Sequence, residues 1–417
     1  MTAQGSLHLF EGFGVELEYM IVDQSSLDVL PAADEVLRAV SGAYLADVEC
    51  GDLGWSNEFM LHVIELKTNG PVKTLRGMAA TFARDVDRIN RLLESMHGRL
   101  MPTGMHPWMD PDREARRWPH EFSPIYAAFD RIFNCKGHGW ANLQSVHLNL
   151  PFTGDDEFAR LHAAIRLVLP ILPALAASSP IADANVTPFQ DYRLEVYRTN
   201  AARVPSVAGR IIPEPLFTKK TYQERLLKKI YRDIAPFDPE KVLQHEWLNA
   251  RGAIARFDRN AIEIRVLDMQ ECPEADIAIA AFIARLIQSL VEERWVSLKT
   301  QKAWPVEPLE KILLGAIAHG DQTQIADRAY LELFGMPRCA RCTAEELWTH
   351  LAESVLPTFP AQEREMLAPL NVILDQGPLS RRILKALDGQ VTRERLRAVY
   401  GKLCDCLAAG EMFDGQV

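Results

Sequence analysis

Glu16 and Glu18 stand two residues apart in the apolar run Phe13-Gly14-Val15-Glu16-Leu17-Glu18-Tyr19-Met20-Ile21. As a strand, the run turns both carboxylates to one face and Val15, Leu17 and Tyr19 to the other. Like charges side by side on a strand repel unless something positive lies between them. The pattern recurs. Glu58 and Glu65 lie in Asn57-Glu58-Phe59-Met60-Leu61-His62-Val63-Ile64-Glu65-Leu66-Lys67-Thr68, and Glu263 and Arg265 share a face in Ala261-Ile262-Glu263-Ile264-Arg265-Val266. His147 and Asn149 do the same in Ser145-Val146-His147-Leu148-Asn149-Leu150. Gathered on one sheet, Glu16, Glu18, Glu65 and Glu263 would make a surface that is unfavourable without divalent cations. Carboxylate oxygens with an occasional imidazole suit magnesium, or manganese, rather than zinc. Magnesium held by a few carboxylates shares its other positions with water and substrate phosphates. Acids beside arginines therefore point to phosphoryl transfer from a nucleotide.

Taken singly, each stretch also reads as an amphipathic strand with a wet side. Glu58 and Glu65 are seven apart, so an unbroken strand would put them on opposite faces, and a bend or bulge is needed to bring both to one site. Glu65, inside Val-Ile-Glu-Leu, is the stronger candidate, with Glu58 close behind. His147 has the alternative of a hydrogen-bonded histidine on the solvated side of a sheet. Tyr192-Arg193-Leu194-Glu195-Val196-Tyr197-Arg198 fits helix or loop, and its arginines would ordinarily form a solvated face. The common phosphate loops are missing: there is no GxxxxGK[ST], and Gly12 and Gly14 do not make GxGxxG, so a nucleotide would lie across the open sheet. No Ser-His-Asp or Cys-His arrangement stands out either.

The elements that must hold these residues follow from periodicity. Ala253-Ile254-Ala255-Arg256-Phe257, a turn at Asp258-Arg259-Asn260 and the strand from Ala261 to Asp268 read as a hairpin. Short strands mixed with helices fill the first 270 or so residues. From Pro273-Glu274-Ala275-Asp276 onward the pattern is helical, with acids where a helix dipole favours them. Further helices are expected near 307–319, 322–335, 343–353, 361–375, 379–388 and 391–409, and the proline-broken segment 169–180 should end a buried helix. No linker or repeat divides the chain. The expectation is one mixed α+β body, with residues 1–300 catalytic and 301–417 a helical part packed on it.

Composition narrows the class. With 417 residues, 48% of them hydrophobic, the chain can bury a large core. A net charge of −10 argues against nucleic acid as partner, since phosphate binding needs a basic face. No signal peptide is expected in MTAQGSLHLFEGFG, and no uninterrupted apolar stretch is long enough for a membrane span. Seven cysteines without an export signal suit reduced thiols in a cytoplasm. Cys339/Cys342 and Cys404/Cys406 read as incidental thiols rather than a zinc site.

These residues, in this order, resemble the glutamate–cysteine ligase type 2 family, or carboxylate–amine ligases. The resemblance lies in Phe13 to Glu18, Val63 to Thr68, Val146 to Asn149, Ala174 to Pro180, Tyr192-Arg193, Trp247-Leu248-Asn249-Ala250-Arg251 and Ile262 to Asp268. It implies the catalytic fold shared with glutamine synthetase and the guanidino kinases: a largely antiparallel sheet with helices packed on one face. It implies ATP and magnesium as cofactors, with Glu16, Glu18, Glu65 and Glu263 as metal ligands and Glu58 and His147 as additions. Arg193, Arg251 and Arg265 become the clamps for phosphate and carboxylate, with His147 and Asn149 also on the nucleotide side. The implied activity joins an amino-acid carboxylate, in typical members the γ-carboxylate of glutamate, to an amine through an acyl phosphate. Departures at Asn185 to Asp191, at Glu195 and in His147-Leu148-Asn149 fall where the amino acids would bind, so the acid and amine stay open, as does assembly into a homo-oligomer. A kinase for a small acceptor on the same sheet, and a non-catalytic nucleotide- or amino-acid-binding module, are the alternatives.

Overall fold

The computed structural model describes residues 7–417. Residues 1–6, on which the expectation of no signal peptide partly rests, lie outside the described residues. The framework is an eight-stranded sheet. Its strands are β1 (Gly14–Asp23), β2 (Asp47–Cys50), β3 (Leu53–Asn57), β4 (Val63–Thr68), β5 (Gly98–Met101) and β6 (Ser145–Pro151), followed after a small separate ladder, β7 (Ile181–Ala182) with β8 (Asn185–Val186), by β9 (Ala253–Arg256) and β10 (Ala261–Asp268). The order is β2-β3-β4-β1-β6-β10-β9, with β5 pairing the far half of β1, and every pairing is antiparallel.

Register decides what shares a face. Glu16 stands opposite Lys67 on β4 and His147 on β6, Glu18 opposite Glu65, and Glu263 opposite Asn149. Residues directly opposite in an antiparallel pair point the same way, so one face of the sheet collects these polar side chains. The other face carries Val15, Leu17, Tyr19, Trp55, Ile64, Leu66, Val146, Leu148, Ile262 and Ile264, all buried in the main core. Against it pack the helices Met78–Glu94, Gly154–Val168 and Pro273–Val291. The last of these is buried around most of its girth, which suits a helix that is apolar on nearly every side.

The expected hairpin forms, and its turn uses Asn260 at φ 52°, a left-handed conformation that asparagine tolerates. The bend required between Glu58 and Glu65 also exists. β3 stops at Asn57 and β4 starts at Val63, so Glu65 comes from β4 and Glu58 from the connection just past the end of β3 rather than both from one strand. Arg193 lies on a short helix, Tyr192–Tyr197, capped by the Asp191 carboxylate accepting from the Leu194 N–H at 2.8 Å.

Carboxy-terminal helices run Val306–His319, Ala344–Val355, Pro369–Gln376, Leu379–Leu387 and Arg393–Ala409. Two of the expected ones are shorter. In 322–335 only Arg328–Glu332 is α-helical, because Gln324–Ile325 pairs as a strand with Cys342–Thr343. In 361–375 the start is a 3₁₀ turn, Ala361–Leu367, and the α-helix begins at Pro369, whose missing N–H is tolerated in a first turn. The core containing Val15 continues through Leu347, Trp348, Leu351 and Leu370. A second cluster joins Met20, Val22 and Met101 to Leu379, Ile383, Leu396, Tyr400 and Phe413. No helix among the described residues is long and apolar enough to cross a membrane. The cysteines are all free thiols, buried or half-buried.

Candidate active site

The polar face of the sheet is the floor of a cavity of about 1050 Å³. Across its centre run Glu16, Glu18, Glu65, Lys67, His147 and Glu263. Glu16 accepts from His147 Nδ1 at 2.8 Å and from Asn149 Nδ2 at 3.0 Å. Glu18 accepts from the Ser145 N–H at 2.6 Å and its hydroxyl at 3.0 Å. The Ser56 hydroxyl donates to Glu65 at 2.6 Å, and Lys67 Nζ stands 3.3 Å from Glu65 and 2.5 Å from Asp47. Glu58, just past the end of β3, enters the same space from the side.

Electrostatics show what is missing from this cluster. Burial, then the charges of Glu18 and Glu65, push the Glu58 carboxyl well above the usual carboxylate range. Burial and the Glu16 charge raise Glu65 to about 7 against the opposing pull of Lys67 and Ser56. Glu16 goes the other way. Burial would raise it, but the hydrogen bond and charge of His147, with help from Lys67 and Asn149, hold it at about 2. His147 is buried too, yet the bond to Glu16 and the charges of Glu18, Glu16 and Glu263 lift it to about 9. Protonated His147 and Lys67 thus supply positive charge where the acids converge.

Two groups of side chains bring one ligand atom each to within 4.8 Å of one another: Glu16, Glu65 and His147, and Glu18, Glu58 and Glu65. Both are dominated by carboxylate oxygen. The donor set fits magnesium or manganese. Glu263 belongs to neither group. It is held by Arg265, at 2.5 and 3.0 Å, and approached by Arg256 at 3.5 Å.

The arginines separate. Arg193 is 2% exposed, lines the cavity near Ser145, and pairs through Nε with Asp268. Arg265 also lines the cavity. Arg251 does not, contrary to the expectation that it clamps phosphate. Its Nε and Nη2 donate to Glu214 at 2.6 Å each, and its Nη1 donates to the Ser206 and Val207 carbonyls and to Asn249. Its polar hydrogens are spent on bracing the loop 206–214, on the far side of β9.

Several lining residues were not singled out from sequence. Lys67 carried a usable signal, since it sits two residues after Glu65 and therefore on the same face. Arg256 and Arg259, from the β9–β10 hairpin, line the end of the cavity where β1 begins. The opposite end is aromatic: Phe122 and Tyr126 come from the start of one helix, Ser123–Phe133, while Phe59, Trp140, Tyr197 and Trp247 come from other turns and helices.

A glutamate–cysteine ligase from Francisella tularensis, solved in complex with AMP, shares the fold with a TM-score of 0.55 at 11% identity, covering 97% of this chain and 94% of that one. An uncharacterised protein of Archaeoglobus fulgidus is 32% identical over 401 residues, 96% of this chain and 99% of that one. A Corynebacterium glutamicum protein provisionally named glutamate–cysteine ligase 2 is 27% identical over 190 residues, 44% of this chain and 46% of that one. The solved structure shows the fold; the family match defines the class, an ATP-dependent ligase that joins a carboxylate to an amine. Within it, residues 12–402 match the Glutamate-cysteine ligase family 2, and the chain belongs to that family.

Proposed function

We propose that the protein is a cytoplasmic ligase that forms a γ-glutamyl amide through an acyl phosphate, using ATP and magnesium. The observation that carries this is the acid-lined floor with Glu16, Glu18, Glu58, Glu65 and His147 converging beside the buried guanidinium of Arg193. Phosphoryl transfer to a carboxylate needs charge neutralisation and alignment rather than an enzyme nucleophile. A divalent cation bound by these acids would screen the charge that develops on the transferred phosphoryl group.

This chain's own residues do the rest. Arg256, Arg259 and Lys67 receive the nucleotide phosphates at the end where β1 begins. Arg193 and Arg265 hold the substrate carboxylates, so that a γ-carboxylate oxygen lies in line with the terminal phosphorus. Oxygen attack on that phosphorus breaks its bond to the β–γ bridging oxygen, releasing ADP and leaving the acyl phosphate. The amine nitrogen then attacks the acyl carbon, phosphate leaves with the C–O bonding pair, and the nitrogen gives up a proton. The aromatic walls keep water from competing for the acyl phosphate. Glu263 sets the plane of Arg265 rather than standing among the converging acids.

The test is ADP release from ATP, L-glutamate and a panel of amines including cysteine. A ligase produces ADP and phosphate in step, and only with both acid and amine present. Turnover with one acceptor alone, yielding a stable phosphorylated product, would mark a kinase instead.

A further inference from the structure

Asp268 lies at the far end of β10, beyond the irregularity between Ile264 and Leu267. Before it, Glu263 and Arg265 face the cavity. After it the alternation is shifted, and Asp268 stands opposite Ser145, on the side of the sheet that carries His147. The bulge therefore puts a third charged residue of this strand on the active face. Asp268 is 1% exposed and does not line the cavity; it sits directly behind Arg193.

Its contacts are specific. One carboxylate oxygen accepts from Arg193 Nε, and the other accepts from the Ser178 N–H at 2.8 Å and the Ser179 hydroxyl at 2.7 Å. The Ser179 hydroxyl in turn accepts from the backbone N–H of Arg193 at 3.1 Å. Arg193 is thus held by backbone and by side chain through one small network. Gly104 closes the back: a Cβ there would stand 2.5 Å from the Asp268 Cγ, so the carboxylate has no room to swing. The network uses the Nε edge of the guanidinium. Nη2 is buried without a partner among the described residues, where an unmatched charged donor is costly, so the guanidinium meets the cavity by its remaining edge.

We infer that Asp268 is a positioning residue, which fixes the guanidinium plane of Arg193 so that its remaining, cavity-facing edge is presented to a carboxylate of the acid substrate. The inference rests on the proposed γ-glutamyl chemistry for its functional half and on geometry alone for its positional half. A bidentate or forked contact depends on the orientation of the guanidinium, which a free arginine samples widely. Asp268 removes that freedom before the substrate arrives.

Two measurements on the full chain test it. The first follows steady-state KM values for L-glutamate and ATP, and kcat, in Asp268→Asn and Ser179→Ala. Asp268→Asn should raise the glutamate KM by about 10- to 100-fold, the range for losing one oriented charged contact, with the ATP KM changed by less than about twofold. Ser179→Ala leaves both charges in place, should raise the glutamate KM by a few-fold, and serves if Asp268→Asn does not fold. The second follows the arginine Nε–Hε signals by NMR. One slowly exchanging signal, absent in Arg193→Lys, should disappear in Asp268→Asn or weaken in Ser179→Ala. An unchanged glutamate KM, parallel rises in both KM values, or survival of the Nε–Hε signal with wild-type exchange would overturn the inference. If the wild type shows no glutamate-dependent turnover, the γ-glutamyl proposal fails, and the NMR result alone still decides whether Asp268 fixes Arg193.

Discussion

Glu58→Gln separates electrostatic frustration from ordinary structure. The ligand oxygens of Glu18, Glu58 and Glu65 converge within 4.8 Å. At that distance and an effective dielectric of ~20, two unit charges repel by about 3 kcal/mol. Ionising all three acids together therefore opposes folding by several kcal/mol, and this repulsion adds to burial in pushing the Glu58 carboxyl well above the usual range. The amide keeps the shape and removes the third charge. In the metal-free protein Glu58→Gln should cost little, or should stabilise slightly. In the wild type, a cation at about 100 times its Kd should add about 2.7 kcal/mol. With an unfolding entropy of ~2.1 cal/mol/K per residue, a chain of 417 residues gains about 1 °C per kcal/mol, so the rise in Tm should be about 3 °C. Differential scanning calorimetry with and without magnesium or manganese reads both terms. The substituted protein should lose most of the metal-induced rise while matching or exceeding the wild-type Tm without metal. A full metal response in Glu58→Gln, or none in the wild type, would refute the assignment.

Four further outcomes are expected. Metal affinity should climb between pH 6 and 8, with proton release on binding. The sign follows because ligands must be deprotonated and Glu65 and His147 carry protons up to about 7 and about 9; titration calorimetry in two buffers of different ionisation enthalpy measures it. His162, stacked 5.2 Å from Phe158, is depressed to about 3, chiefly by burial and then by the Arg166 charge. Its neutral form is free of penalty above pH ~6.5 and is increasingly penalised as pH falls toward 3, because only the unfolded chain takes up the proton. His162→Phe should then leave urea stability unchanged at pH 7.5 but recover about 2 kcal/mol at pH 5; an equal effect at both pH values would refute the account. Arg265→Lys should lower turnover by about 100-fold or more, since its planar fork is lost while the charge remains. Arg251→Lys should lower Tm and leave the ATP KM unchanged, since Arg251 braces a loop outside the cavity.

Most of the sheet was legible because alternation is a local signal. Val15 and Leu17 facing one way and Glu16 and Glu18 the other follows from a two-residue period, and the structure keeps that division. The bend separating Glu58 from Glu65 was required by parity before its location was known. What sequence could not supply was which donors each arginine had left. Sequence offers nothing to separate Arg251 from Arg265 as clamps, yet one spends its hydrogens on Glu214 and loop carbonyls, while the other faces the cavity. Arg193 stands in a stretch that fits helix or loop and whose arginines would ordinarily form a solvated face, so only the family resemblance marks it; its burial depends on Asp268, 75 residues away. Asp268 itself escaped notice because the bulge shifts the parity that would have assigned it to the active face. The aromatic end escaped for the opposite reason: its members come from several turns and helices, whose convergence only tertiary packing creates.

The second hydrophobic cluster bears on when the site comes into being during synthesis. Strand β1 carries Glu16 and Glu18, but its far half, at Met20 and Val22, is covered by Leu379, Leu396 and Phe413, which follow much later in the chain. The polar half also waits, since the β10 strand bearing Glu263 must join β6 before the floor closes. Contacts of such long sequence separation are slow to form and are satisfied only after a large loop is closed. A ribosome-bound chain lacking its last helices would leave these apolar side chains uncovered at one end of β1. The acids therefore acquire their fixed spacing only once the segments from β10 to Phe413 have joined β1, so that a chain lacking them does not present a finished site to ATP.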